Sequence, residues 1–189
     1  TENANEDKKL TISAKSGDDV KVTATQDMFS AKDVGRYIRI KHKPDSEAKE
    51  EAKDKDETAV STWGYGRITK FIDAKTVEIT VKRKFVNKEA SYEWRLGAFG
   101  DAPGYPRTVT FHQERLWFGG TKSQPQTVWS SKSSDINNYE PSDKVGDVLD
   151  DSSIVLTMLS DETNAIQWLN SDVVLNVGTV GAEFKIFTF

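Results

Sequence analysis

Hydrophobic and polar residues alternate with period two along most of the chain. Leu10-Thr11-Ile12-Ser13-Ala14 puts Leu10, Ile12 and Ala14 on one face, and Val20-Lys21-Val22-Thr23-Ala24 repeats the pattern after the turn cluster Ser16-Gly17-Asp18-Asp19. Two alternating runs around such a cluster predict a β-hairpin. Strands are also predicted at Arg36–Lys41, where Ile38 and Ile40 share a face, at Trp63–Phe71, and at Thr76–Val81 beyond the turn Asp73-Ala74-Lys75. Five such strands rich in β-branched residues predict a small barrel or compact sheet. A short helical turn is expected at Ser30-Ala31-Lys32-Asp33, with Ser30 as N-cap.

Residues 43–57 interrupt the alternation. The stretch from Pro44 to Glu57 holds no large apolar residue, so it buries too little surface to offset its ordering entropy. A disordered, solvated hairpin loop is predicted, with a short exposed helix of Glu/Lys pairs as the rival.

The second half is also strand-like but more aromatic. Predicted strands are Arg107–Phe111, Arg115–Gly120, Thr127–Ser130, Ile154–Leu159, Ala165–Leu169, Val173–Gly178 and Glu183–Phe189, with a polar, acidic loop at Ser133–Ser153. A repeat spans this half: Leu116 and Leu175, 59 residues apart, occupy the middle strands of two strand–turn–strand–strand units. A propeller blade is about 40–50 residues of four strands. The excess matches the acidic loop, so one propeller-type blade and most of a second are predicted. The fold class expected is all-β: a small barrel-like domain, residues 1–95, then a Gly/Pro linker, 96–106, then an incomplete propeller, 107–189. The start at Thr1 and the apolar finish Phe187-Thr188-Phe189 predict a piece of a larger β-rich protein.

Charge sharpens the division. Residues 1–95 carry 20 Lys and Arg against 18 Asp and Glu, a net of +2, and residues 96–189 carry 6 against 12, a net of −6. The whole chain, at −4, is not a bulk nucleic-acid binder held by excess positive charge. It has no cysteine, which excludes a disulfide scaffold, a thiolate zinc site and a cysteine nucleophile, and agrees with folding in a reducing compartment. No apolar run is long enough for a membrane-spanning helix, and the first thirty residues hold no signal-peptide core.

Candidate chemistry is sparse. Gly64-Tyr65-Gly66 lacks the third glycine of a dinucleotide loop and reads as a bend or bulge. Gly119-Gly120-Thr121-Lys122-Ser123 lacks the spacing of a phosphate loop. His112 is expected in a hairpin turn, without the oriented partner and nucleophile that a catalytic base needs. Asp143, Asp147, Asp150 and Asp151 are the best metal candidates, but their spacing does not match a calcium loop. No catalytic residue, cofactor or metal is therefore expected.

Trp63, Tyr65, Trp117 and Trp129 are the candidate interaction residues. Large aromatics at strand positions serve as core or subunit interface more often than as a sugar-stacking platform. Arg36, Arg39, Lys41, Arg67, Lys70, Lys82, Arg83 and Lys84 could form a patch toward phosphates, while alternation makes them the wet face of a sheet.

Trp94–Phe99, Gly104-Tyr105-Pro106-Arg107 and Thr108–Thr121 resemble a family of tailed-bacteriophage structural proteins, the tail nozzle or tubular tail proteins of short-tailed phages. Gln124–Ser131, Asn164–Leu169 and Val177-Gly178-Thr179 fit the same family, and Met28–Arg36 with Trp63–Ile68 resembles its accompanying small β-domain. The resemblance implies a non-enzymatic, propeller-based virion subunit that forms a homo-oligomeric ring. Its implied partners are portal or adaptor and tail-fibre proteins, with DNA passing through without specific binding. It transfers no catalytic residue. A carbohydrate-binding or host-receptor module is the alternative, and a sugar hydrolase with paired carboxylates a third reading.

Overall fold

In the first part of the chain the alternation builds one antiparallel sheet. Its strands are β1 (Leu10–Ile12), β2 (Val20–Ala24), β3 (Tyr37–His42), β4 (Thr62–Asp73), β5 (Thr76–Arg83) and β6 (Trp94–Leu96), in the order β1-β2-β5-β4-β3-β6. The computed structural model describes residues 8–54, 59–159 and 164–187. They fall into two units: Thr1–Ala102 with Lys144–Gly146, and Pro103–Asp143 with Asp147–Phe189.

The first unit's sheet curls strongly into a half-barrel. An antiparallel bridge ties its edges: Leu10 N–H donates to the Ser91 carbonyl (2.8 Å) and Ser91 N–H to the Leu10 carbonyl (2.9 Å). Trp94 Nε1 adds a bond to the Lys8 carbonyl, 2.8 Å. The concave face buries Leu10, Ile12, Val20, Val22, Ile38, Ile40, Ile68, Val77, Ile79 and Phe85. Each such residue contributes roughly 1.5–3 kcal/mol by leaving water. Gly64 faces inward under Phe85: a Cβ there would lie 2.3 Å from Phe85 Cδ1. The ladder shifts register between Tyr65 and Gly66, so Gly64-Tyr65-Gly66 sits at a bulge and fills with Phe85.

Two segments differ from the sequence expectation. Leu96 pairs with Ile38 in β6 instead of opening a linker; a strand of three residues is too short to show its period. Ser46–Asp54 forms helix α1 where composition predicts a loop. Ala, Glu and Lys are strong helix formers, and the acidic first turn suits the helix dipole. Lys15 Nζ anchors this end through Asp45 (2.8 Å) and Glu47 (2.5 Å), a partnership that local sequence does not contain. Residues 55–57 of the expected loop lie outside the described residues. Ala31–Asp33 forms the short helical turn, with the Ser30 N–H donating to Asp33 Oδ2 (2.8 Å) and Arg36 pairing with Asp33.

The second unit holds two antiparallel sheets. β7 (Thr108–His112), β8 (Arg115–Gly119), β9 (Thr127–Ser130) and β10 (Val155–Thr157) follow each other in space as in sequence. β11 (Ile166–Ser171), β12 (Leu175–Thr179) and β13 (Glu183–Ile186) form the second meander. Trp117, Val128, Ile166, Leu169, Leu175 and Val177 make their shared core, and Leu169 N–H donates to Thr108 Oγ1 (3.2 Å) across the sheets.

The hairpin turns refine the internal repeat. His112 pairs with Arg115 across the two-residue turn Gln113-Glu114, both with positive φ, whereas Ser171 pairs with Leu175 across three residues. The extra residue shifts the second repeat by one relative to the first. Leu175 therefore faces the core, while Leu116 is half-buried on the other face. Residues 188–189 of the last expected strand lie outside the described residues.

Candidate interaction surface

The convex face of the first unit is built by β6, β3, β4 and β5. With Ile38, Ile40 and His42 turned inward, Tyr37, Arg39 and Lys41 must point outward. Register then sets their neighbours. Arg95 stands opposite Arg39, Arg39 opposite Tyr65, and Tyr65 opposite Arg83. Tyr37 faces Arg67, and Lys41 faces Trp63.

These side chains interleave. The Arg39 guanidinium lies 4.2 Å from the Trp63 ring centroid, and Lys41 Nζ lies 6.0 Å from it. Arg83 sits 4.9 Å over Tyr65, which meets Tyr37 edge-on at 6.0 Å. Arg67 Nε donates to the Gly35 carbonyl, 3.2 Å. Lys144–Gly146 borders Trp63, whose N–H donates to the Lys144 carbonyl (2.7 Å). A cation over an aromatic face contributes about 0.5–1 kcal/mol at an exposed site. The same contact holds the guanidinium flat.

Of the four aromatic candidates, only Tyr65 and Trp63 reach this face, and Trp63 is only 8% exposed beneath its cations. Trp117 is fully buried and Trp129 nearly so, which takes both out of reach of a ligand. The four do not form a ring platform. Tyr37 and Arg95 belong to the surface although sequence did not single them out. Their signal was the outward parity of β3 and β6, which becomes readable only with the pairing known. Among the other basic residues, Arg36 is committed to Asp33 and the Gly97 carbonyl (2.7 Å), and Lys70 pairs with Glu78 (3.4 Å).

His112 ends β7 instead of lying in the turn; it is buried, with Nδ1 2.9 Å from Ser171 Oγ and Nε2 without a protein partner. Its burial follows from β11 crossing the strand, a contact 59 residues away in sequence. His42 is buried likewise, with Nε2 3.1 Å from the Glu89 carbonyl and its ring edge-on to Phe85. Burial pushes its pKa below the usual imidazole value, partly opposed by the Glu89 carbonyl.

The acidic loop is tied from within. Asp147 N–H donates to Asp143 Oδ1 (2.9 Å), and Asp151 pairs with Lys132 (3.2 Å). Arg115, buried, donates to the carbonyls of Ser131 (2.9 Å), Asp150 (2.9 Å) and Ser152 (2.7 Å). Sequence reasoning did not single out this side chain, because an Arg after a hairpin turn looks solvated. Among the described residues no group of three or more His, Asp or Glu is placed to hold a metal.

The second unit presents a different surface. Val109 pairs with Phe118 and Phe111 with Leu116 on the face of β7 and β8 opposite Trp117. Val109 is 55% and Phe111 63% exposed.

A scan of protein-family models finds no match for this chain, and no curated protein matches it. Among the described residues no helix is long and apolar enough to cross a membrane.

Proposed function

We propose that the chain is part of a non-enzymatic structural subunit of a bacteriophage tail, of the nozzle or tail-tube kind, acting in a homo-oligomeric ring in the virion. The reading keeps the propeller expectation for the second unit: β7–β10 and β11–β13 are successive blades. One observation carries it. The first of these sheets has the next sheet on one face and, on the other, the exposed side chains of Val109 and Phe111 beside Phe118, whose ring stacks on Tyr139 at 5.5 Å. In a propeller each internal sheet is covered on both faces, and an open apolar sheet face calls for a further sheet or a neighbouring subunit. The resemblance of Trp94–Thr121 to tail proteins supplies the biological setting. The portal or adaptor and tail-fibre proteins are the partners in this reading, and the channel passes DNA.

The test is mass photometry and negative-stain microscopy of the full-length protein, with labelled antibody against this chain on purified virions. A ring, and label at the tail, is expected. Phe111→Ser, which removes one exposed apolar side chain, should leave the fold intact and weaken assembly by tenfold or more. A persistent monomer absent from virions would overturn the reading. The carbohydrate-binding alternative loses support from the burial of Trp117 and Trp129.

A further inference from the structure

We propose that β10 is a docking edge for a second copy of this chain, the two β10 strands pairing antiparallel about a twofold axis at Leu156. The inference goes beyond the tail reading and does not rest on it, because it concerns backbone groups at a strand edge and not the sheet face of Val109 and Phe111.

Backbone direction is the first ground. β10 is the outermost strand of its sheet and, among the described residues, pairs with β9 alone. Ser130 N–H donates to the Ile154 carbonyl (2.8 Å), and Met158 N–H donates to the Gln126 carbonyl (3.0 Å). Bonded and non-bonded residues alternate along an antiparallel strand, so Ile154, Leu156 and Met158 aim their backbone groups at β9. Val155 and Thr157 then aim theirs away from the sheet. A row of outward N–H and carbonyl groups is a template for another strand.

Chemistry is the second ground. Proteins commonly blunt such an edge with charge, Pro or a bulge. β13, an edge strand of the neighbouring sheet, alternates Glu183 and Lys185 with its apolar residues. Ser152–Leu159 carries no charge, no Pro and no Gly, and Ile154, Val155 and Thr157 are β-branched strand formers. Val155 and Leu156 are exposed on opposite faces of the strand, and Leu159 just beyond it is almost wholly exposed.

Self-complementarity names the occupant. Val155 and Thr157 flank Leu156 symmetrically. A twofold axis at Leu156 sets Val155 of one copy against Thr157 of the other, each pair exchanging both backbone bonds. Leu156 then opposes its own copy at the closer, non-hydrogen-bonded spacing. Val against Thr is a β-branched pair suited to a pleated surface. Ile154 meets Met158, and both already pack against the Trp117 cluster, so the apolar row runs on from one copy to the next. The strand has no charge to repel its twin, and it offers no counter-charge to an acidic or basic partner.

Sedimentation velocity of the whole chain, from about 1 to 200 μM, should show a monomer–dimer equilibrium in the micromolar range. The dimer should tighten a few-fold between about 50 and 500 mM salt, because residues 96–189 carry a net of −6 and two copies repel until screened. Val155→Pro removes one outward N–H without touching the bonds to β9, and should weaken pairing tenfold or more. Leu156→Lys and Leu156→Glu should each be monomeric alone, because like charges then oppose each other at the axis, and should dimerise when mixed. Phe111→Ser should leave the equilibrium unchanged, which separates this contact from the one that builds a ring. Circular dichroism checks that each variant is folded. A chain that stays monomeric throughout would overturn the proposal, as would Lys and Glu variants that stay monomeric when mixed. A dimer that survives in Val155→Pro, disappears in Phe111→Ser or loosens as salt rises would place the contact elsewhere and overturn it equally.

Discussion

The two units use the same strand alternation and end with opposite exteriors. In the first, residues that leave the core on β3 and β4 are Tyr37, Arg39, Lys41, Trp63, Tyr65 and Arg67. In the second, residues that leave the core on β7 and β8 are Val109, Phe111, Leu116 and Phe118. Period two therefore identifies a strand and its buried side, but the chemistry of the off-core residues says what the other side meets. A charged exterior suits water or a polyanion; an apolar one asks for another sheet. The first unit closes its core with a single curled sheet. The second divides a smaller core between two.

The strongest way to break this comparison is to remove one large side chain from each core. Phe85→Ala and Trp117→Ala should each cost about 3–5 kcal/mol. Hydrogen exchange should show the loss confined to the substituted unit, β1–β6 for Phe85→Ala and β7–β13 for Trp117→Ala. Equal loss of protection throughout the chain in either variant would show one cooperative core and remove the distinction between the units.

That contrast marks how far sequence reaches. The alternation of Leu10–Ala14, Val20–Ala24 and Thr76–Val81 was legible because local period alone specifies it. The all-β character follows from such runs. The side of Trp117 was not legible, since a Trp beside Leu116 and Phe118 leaves either parity open. The turn length fixed it. Arg115 was illegible for a different reason: its partners are carbonyls of a loop 16 or more residues away. Helix α1 depends on Lys15, which lies on the far side of two strands in sequence. Of the candidate surface, the basic residues and Tyr65 could be named, but their grid required the registers of β6, β3, β4 and β5.

Arg115 gives the second test. Arg115→Ala leaves several carbonyls of the Ser131–Ser152 segment without their charged donor and should cost about 2–3 kcal/mol. Chemical denaturation would measure the loss, and limited proteolysis should show new cleavage between Ser133 and Asp151. A fall in stability without new cleavage would mean that Arg115 acts through its packing and not by fastening the loop.

Glycine substitutions sharpen the same comparison at smaller cost. A Cβ on Gly64 would strike Phe85, which is fully buried, and a Cβ on Gly178 would lie 1.9 Å from Trp168 Cε2. Trp168 is 40% exposed and can swing into water, while Phe85 has nowhere to go. Gly64→Ala should therefore cost toward the upper end of about 1–3 kcal/mol, and Gly178→Ala toward the lower. Thermal melts give the order. The red shift of Trp emission should belong to Gly178→Ala alone. A reversed order would place the tighter packing in the second unit.

The smallest effect is on pH dependence, and it separates the units by direction. His42 in the first unit has its pKa lowered chiefly by burial. The unfolded imidazole, near about 6.5, takes up its proton first as pH falls. The stability this group contributes is therefore complete above that value, and it declines until the folded group also titrates. Tyr139 in the second unit has its pKa pushed up to about 12 by burial, and its hydroxyl donates to the Leu116 carbonyl (3.2 Å). There the unfolded phenol loses its proton first, near about 10. The contribution is complete below that point and is lost as pH rises toward the folded value. Lys15, raised by its hydrogen bonds to Asp45 and Glu47, titrates in the same alkaline direction, but from the surface of the first unit. Denaturation curves for the wild type, His42→Gln and Tyr139→Phe between pH 5 and 10.5 resolve these contributions. His42→Gln should flatten the acid decline, because the amide can still donate to the Glu89 carbonyl without taking up a proton. Tyr139→Phe should flatten the alkaline one. An unchanged acid decline in His42→Gln would assign it to the Glu47 carboxylate, which its hydrogen bond to Lys15 holds below the usual range, and with it to a surface ion pair instead of the buried ring.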